Sequence, residues 1–267
     1  QTAYRVCLWS RLASRVLAAL SRFRAGTPEA LYRGIRDIDW DRHLDADGTL
    51  AVTCVTAHSA LSHTQYAAQV VKDAIVDQLR ERHGVRPGVD REAPGLRLNV
   101  YIHRDQVRLA VDLAGHALHQ RGYRERGVAA PLRETLAAAM LQLAGWPALA
   151  AAGAELYDPV CGAGTVLIEG ALMAGDVAPG LVQPRLGSPG WKGHAPLLWR
   201  AELEAAEARR EQGVGRLPAI GGSDRDPAAV AAARANVAAA GLAGKVGVAR
   251  AALDDLAHRP GPGLVTA

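Results

Sequence analysis

Residues 158–170 read DPVCGAGTVLIEG, and no other stretch restricts the architecture of this chain so strongly. The short apolar run AELY precedes it and the helical pattern TVLIEGALM follows, so a strand, a tight turn and a helix must succeed one another at once. Gly162 and Gly164 lie one residue apart and let the backbone pass close to a ligand with no Cβ in the way. A phosphate-cradling P-loop needs Gly-Lys-Ser/Thr, and the stretch contains no lysine. A dinucleotide turn needs a third small residue three positions after Gly164, where Leu167 stands. The loop suits close approach without being shaped for a diphosphate. A tight βα turn with no ligand is the competing reading at this point.

Around that turn, strands and helices alternate. Residues 131–146 read as a helix, 154–160 as a strand, 165–175 as a helix, 200–213 as a charged helix, 217–224 as a strand and 227–241 as a helix, with KVGVARAAL and LVTA closing the chain. A glycine- and proline-containing insert, 178–199, interrupts the series. This order predicts an open parallel sheet wrapped by helices, and an incomplete one. The first half reads differently. Residues 4–20 place Leu8, Trp9, Leu12, Val16 and Leu20 on one helical face. Residues 37–50 are acidic and turn-rich, 49–56 alternate like a strand, and 64–82 form a helix that Thr64 can cap and Gly84 can end. LRLNVYIH and VRLAVDLA, separated by Arg104-Asp105-Gln106, predict a β-hairpin. The expectation is an α+β module, a boundary in the glycine- and arginine-rich segment 115–131, then an α/β domain.

Charge is divided along the same line. Residues 1–130 hold 19 Lys+Arg against 14 Asp+Glu, a net of +5, while the remaining 12 against 13 give −1. A basic first half fits a polyanionic partner, RNA foremost, although a solvated arginine-rich surface has the same composition. Cys7, Cys54 and Cys161 are far apart and show no metal-ligand spacing, so no metal is expected and a reduced, cytoplasmic setting fits. No apolar run approaches a membrane span.

The second chemistry-bearing stretch is GGSDRDP, residues 221–227. An acid at the carboxyl end of a parallel strand points into the crevice where such sheets bind ligands, and Asp224 can accept from both hydroxyls of a ribose. Asp226-Pro227 reads as the cap and first residue of the next helix. A nicotinamide cofactor is opposed by Leu167 and by the distance from the glycine turn to Asp224.

The ordered set DPVCGAGTVLIEGALMAGDVAPG, WKGH…LW and GSDRDP…ARAN resembles the THUMP-domain class I methyltransferases of 23S rRNA. The stretches YRVCLWSRLASRV and RPGVDREAPGLRLNVYIHRDQVRLAVDLAGHALHQRGYR are similar to the N-terminal module of the guanine-N2 methyltransferases within that family. The resemblance runs in order over essentially the whole chain. It implies an incomplete ferredoxin-like portion over 1–48, a THUMP-like RNA-binding domain over 49–120, and the N-terminal part of a Rossmann-like, S-adenosylmethionine-dependent methyltransferase domain over 121–267. The implied partner is 23S rRNA or its assembly precursor.

Residue by residue, the resemblance implies that Asp158 lies near the methionyl end of S-adenosylmethionine. Gly162, Ala163, Gly164 and Thr165 would form the loop beneath it, Asp224 would hold the ribose, and Arg225 would lie against the adenine. Such a cofactor has no diphosphate, which agrees with the absent third glycine. Cys161 reads as a packing residue, with no base or charge partner near it in sequence. The family has an acid after its third strand, and here Ala252 takes that place, with Asp254 and Asp255 displaced. The family's fourth strand leads into Asn-Pro-Pro-Tyr, which grips the amine to be methylated, and the sequence stops at Ala267 before it. No catalytic residue is therefore expected within the chain, which on this reading is truncated and inactive alone. Readings of the same residues as a tRNA methyltransferase, or as a non-catalytic RNA-binding relic, stay open here.

For RNA contact, Arg80, Arg82 and Arg86 (with His83) follow the clearest helix, and Arg121, Arg124 and Arg126 occupy the boundary segment. Arginine suits phosphates because its planar fork donates in pairs. Trp191, Trp199 and His194 of the insert are read as packing in preference to base stacking.

Overall fold

The computed structural model describes residues 1–124, 132–182, 184, 186–256 and 261–266. The chain forms two compact units: Arg15–His116 with Arg185–Pro196, and Gln1–Ser14 with Ala117–Pro184 and Leu197–Ala267.

The helix expected over 4–20 is two elements. Helix α1 (Thr2–Trp9) ends at Ser10, which is extended at φ −69°, ψ 121°. Residues 17–24 become strand β1 (Leu17–Arg24), antiparallel to β5 (Gln106–Asp112), with Leu17 opposite Asp112 and Arg24 opposite Gln106. The apolar spacing fits a helix equally well. Pairing with the free edge of β5 decides otherwise, because that edge satisfies backbone groups that a local helix cannot reach.

The sheet of this first unit runs β1-β5-β4-β2-β3, with β2 at Thr49–Ala57, β3 at Gly88–Val89 and β4 at Leu96–His103. Strand β4 alternates cleanly: Leu96, Leu98, Val100 and Ile102 are buried, and the residues between them face the other way. Helix α2 (Pro28–Arg36) was not anticipated, although Thr27-Pro28-Glu29 is a start signal. The Thr27 hydroxyl accepts from Ala30 N at 3.2 Å, and proline occupies the first turn. Helix α3 (Thr64–His83) is capped one residue earlier than expected: His63 Nδ1 accepts from Tyr66 N at 3.0 Å. Gly84 ends it in the left-handed region at φ 69°. The β4–β5 hairpin forms as expected, tightened to a two-residue turn in which Arg104 and Asp105 both have positive φ.

The second unit carries the parallel sheet β8-β7-β6-β9, with β6 at Glu155–Asp158, β7 at Ile220–Asp224, β8 at Gly247–Arg250 and β9 at Gly263–Val265. Its helices are α4 (Glu134–Leu143), α5 (Trp146–Ala151), α6 (Thr165–Ala174), α7 (Pro196–Val214) and α8 (Pro227–Ala239). The helix expected over 131–146 breaks at Gly145, φ 73°, so that Trp146 turns inward and donates to the Gly170 carbonyl at 2.9 Å. Gly170 is needed beside it: a Cβ there would lie 2.3 Å from Leu156 Cδ2, so α6 packs directly on β6. β6 has β7 on one side and β9 on the other, which makes its carboxyl end the switch point of the sheet.

Helix α1 belongs to this second unit. Leu8 packs with Ala178, Leu181 and Ala206. Arg11 Nη2 donates to the Leu172 and Val177 carbonyls at 3.0 and 2.9 Å. Arg121 donates to the Arg11 carbonyl at 2.7 Å and to the Leu118 carbonyl, and its Nε lies 3.5 Å from Glu169 Oε1. Tyr123 donates its hydroxyl to the same Glu169 oxygen at 3.1 Å. The compact units thus differ from the sequence division at 48. Residues 1–14 join the α/β unit, and a boundary at 48/49 would fall at the first residue of β2, inside the sheet that β1 already edges. Among the described residues, no helix is long and apolar enough to cross a membrane.

Candidate functional site

The glycine turn stands at the carboxyl ends of β6 and β7, and a network of short hydrogen bonds fixes it. Gly162 and Gly164 both have positive φ, 52° and 79°, which a side chain would strain. Gly164 N closes the turn on the Cys161 carbonyl at 2.8 Å, and Cys161 N donates to the Ser223 carbonyl at 2.9 Å. From α8, Asn236 Nδ2 donates to the Ala163 carbonyl at 3.0 Å. A Cβ on Gly164 would approach Ala233 to 3.2 Å, whereas one on Gly162 would meet nothing within 4 Å. One glycine therefore lets α8 come close, and the other faces open space.

Two carboxylates flank this loop. Asp224 Oδ2 accepts from Gly162 N at 2.9 Å, and its Oδ1 accepts from Asp226 N at 2.9 Å. Each oxygen keeps a further lone pair. Asp158 Oδ1 accepts from Val160 N at 3.1 Å, and the residue is 5% exposed. Burial pushes the Asp158 carboxyl up to about 6; the Val160 N–H works against this and the Asp224 carboxylate adds to it. Two acids converge where a strand pair ends, one reluctant to carry its charge.

Of the residues expected here, Asp158, Gly162, Gly164 and Asp224 come together as one constellation. Ala163 and Thr165 are each 5% exposed, so their side chains shape the loop from beneath. Arg225 is exposed, and Asp226 caps α8 by accepting from Ala228 N at 2.8 Å. Cys161 is buried, and burial pushes its thiol up to about 12, as suits packing. Ala252 precedes a short 3-10 turn, Leu253–Asp255, in which Asp254 and Asp255 are exposed.

Two residues of the site escaped the sequence reading. Asn236 gave a usable signal, a poor helix former within an alanine-rich helix; the structure buries it at 1% exposure. Gly222 gave none, since only the packing reveals its role. A Cβ there would lie 2.6 Å from the Asp158 carbonyl, 2.8 Å from Leu167 Cδ1 and 3.1 Å from Cys161 Cβ. Gly222→Ala is expected to destabilise the α/β unit by roughly 1–3 kcal/mol through overpacking, read as a lower urea midpoint. A midpoint equal to wild type would show that the two strands separate freely.

The arginines expected to meet RNA fare unevenly. Arg121 is 4% exposed and bound to internal carbonyls and Glu169, so it is withdrawn from that role; its charge is consumed in the core. Arg124 is tied to Glu134 at 3.1 Å, to the Leu132 carbonyl at 2.9 Å and to Thr165 Oγ1 at 3.3 Å. Arg80 pairs with Asp77, and Arg82 bridges Asp39 and Asp41. Arg86 is exposed, and Arg126 lies outside the described residues. In the insert, Trp191 Nε1 donates to His43 Nδ1 at 3.2 Å, and Trp199 meets Tyr4 edge-on at 5.6 Å. Both tryptophans pack.

Comparison with known proteins bears on both units. Residues 121–265 match the family described as RMKL-like, methyltransferase domain, and residues 25–112 match the THUMP domain. The curated protein Ribosomal RNA large subunit methyltransferase K/L of Methylococcus capsulatus is 51% identical over 265 residues, covering 99% of this chain and 36% of its own. Its counterpart from Syntrophotalea carbinolica is 49% identical over 98% of this chain and 37% of its own. The chain thus spans about a third of the length of these relatives. Among solved structures, SMU.472 complexed with SAH superposes with a TM-score of 0.85 at 27% identity, covering 99% of this chain and 68% of that one. TrmN from Thermus thermophilus, at 21% identity and a TM-score of 0.55 over 90% of this chain and 57% of its own, shares the fold.

Proposed function

The chain belongs to the RMKL-like methyltransferase family, with a THUMP domain ahead of the methyltransferase domain, and from that premise we propose that its α/β unit binds S-adenosylmethionine for methylation of large-subunit ribosomal RNA by the whole protein. The reading that goes with it makes the acceptor the exocyclic N2 amine of a guanine in 23S rRNA, and the setting the cytoplasm. The acceptor rests on the family resemblance of the N-terminal stretch, and the RNA on the names of the curated relatives.

One observation carries the cofactor assignment: Asp158 and Asp224 flank an open-faced glycine at the switch point of a parallel sheet. S-adenosylmethionine, when bound, supplies an electrophilic sulfonium methyl. The residues fit such a ligand. Gly162 offers backbone with no Cβ toward it, Asp224 has lone pairs left for two ribose hydroxyls, and buried Asp158 offers a carboxylate to the positively charged methionyl end. Asp158, Gly162, Asp224 and Arg225 would touch the cofactor, while Ala163, Gly164 and Thr165 hold the loop's shape.

The raised Asp158 carboxyl sets a pH dependence. In the free chain it takes up a proton near pH 6, and a cationic ligand favours its ionised form. Affinity for S-adenosylmethionine is expected to be constant above about pH 7 and to fall by up to about tenfold per pH unit below 6. Asp158→Asn is expected to bind weakly at every pH. For stability the sign reverses. The Asp158 contribution is fully present below the ordinary carboxyl value of 3.8 and is lost as pH rises through about 6, so Asp158→Asn is expected to melt higher than wild type at pH 8 and equally at pH 3.5. Calorimetric titration of the chain from pH 5 to 8 tests the assignment, and an affinity for S-adenosylmethionine unaffected by Asp158→Asn would remove it.

A further inference from the structure

The sheet of the first unit presents a face that neither α2 nor α3 accounts for, and its side chains can be placed by register. Arg22 of β1 stands opposite Arg108 of β5, Arg108 opposite Tyr101 of β4, and Tyr101 opposite Val55 of β2. Two residues along, Arg24 stands opposite Gln106, and Gln106 opposite His103. Residues two apart on a strand share a face, so these two rows lie side by side. Burial agrees: Arg22, Arg24, Tyr101, Arg108 and Val55 are all exposed, while their sequence neighbours Val100, Ile102, Val107 and Leu109 are buried.

Two features of this face call for a ligand of one kind. The Tyr101 and His103 rings lie parallel, within 5° and with centroids 6.1 Å apart, in the middle of the sheet. A tyrosine 36% exposed there presents a ring to solvent instead of to a core. Beside it, among the described residues, Arg22, Arg24 and Arg108 enter no ion pair. The two rows contain no acidic side chain; the nearby Asp105 accepts from Ser59 and Ala60 and feels the Arg24 charge, which leaves Arg22 and Arg108 as the arginines with no carboxylate acting on them among the described residues. The contrast with the end of α3 is direct, since Arg80 and Arg82 there already have carboxylate partners. Unpaired arginines attract phosphates, and exposed rings on a sheet stack with bases that have left a duplex.

We propose that this open sheet face, with Tyr101 and His103 as a stacking platform and Arg22, Arg24 and Arg108 as the phosphate-binding edge, docks a single-stranded segment of RNA. The proposal rests on the reading of RNA as substrate and says where, and in what form, RNA is held. Arg108 and Arg22 stand one and two strands from Tyr101, at about 5 and 10 Å, so a base on the ring leaves its backbone over the arginines. An A-form duplex buries its base faces and would gain nothing from the rings.

The test uses the whole chain, with fluorescence anisotropy of a labelled unstructured RNA of about 15 nucleotides and of its duplex. Tyr101→Ala is expected to weaken binding of the single strand about tenfold, with Tyr101→Phe restoring it and the melting temperature unchanged. The triple change Arg22→Gln, Arg24→Gln, Arg108→Gln is expected to flatten the salt dependence by about two in log–log slope. The change Arg80→Gln, Arg82→Gln, at arginines that already have carboxylate partners, should leave both readings near wild type. If the sheet variants bind like wild type while the α3-end variant loses affinity, the platform is overturned and RNA binding stands. Equal losses on single strand and duplex from Tyr101→Ala would overturn stacking as the mode. A wild-type chain that binds neither RNA overturns the RNA reading and the platform together.

Discussion

Asp224→Ala is expected to weaken S-adenosylmethionine binding about hundredfold, equivalent to ~2.7 kcal/mol, in a calorimetric titration at pH 7.5. Two losses combine. The ribose would lose an ionised acceptor, and a hydrogen bond to a charged group contributes about 1.5–3 kcal/mol. The glycine turn would also lose its tie, because Asp224 Oδ2 accepts from Gly162 N and Oδ1 from Asp226 N. For the same reason asparagine is not a conservative replacement, since its NH2 group would face one of those two N–H donors. Asp224→Asn is therefore expected to resemble alanine. Affinity within threefold of wild type for Asp224→Ala would mean that this carboxylate serves the loop alone, and the ligand assignment at the β7 end would fall.

The largest effect on stability is expected at Arg121. Its side chain is 2% exposed and that of Glu169 is 0% exposed. Arg121→Met would leave the Glu169 carboxylate buried with Arg11 as its remaining nearby cation, and would strip donors from the Arg11 and Leu118 carbonyls. Breaking a buried pair from one side costs roughly 3–5 kcal/mol, to be read from urea unfolding. The loss should depend on pH. Burial already raises the Glu169 carboxyl, with Arg121 and then Arg11 holding it down, so removing Arg121 raises it further. A group raised in the folded state loses its contribution as pH rises through its folded value, so the deficit should be greater at pH 8 than at pH 5. Changing Arg121 and Glu169 together to methionine should recover part of the loss and not all of it, because the orphaned carbonyls remain. A single variant within 1 kcal/mol of wild type would mean that water enters the cluster.

Both residues show what a sequence can and cannot convey. The place of Asp224 at the end of a strand was legible because a strand, an acid and a helix cap follow one another within a few residues. Arg121 was misread, since a run of arginines beside glycines looks the same whether it faces solvent or a buried glutamate from α6, 48 positions away. The hairpin at 96–112, the α3 helix and the positive-φ glycines at 162 and 164 were likewise legible, each being fixed by residues close together in the chain. Residues 17–24 were not, because their apolar spacing suits a helix and a strand alike until β5 supplies an edge.

From the sequence by itself came the alternation of strands and helices, the glycine turn free of a diphosphate fingerprint, and the acids at 158 and 224, all of which depend on local sterics and period. Tertiary structure alone decided that residues 1–14 belong to the α/β unit, that Gly222 must have no side chain, and that Arg121 is a core residue while Arg22 and Arg108, in the row of Tyr101, enter no ion pair among the described residues. The physical reason is the same in each case. Burial, charge compensation and strand register depend on groups far apart in the chain, and the sequence does not state their proximity.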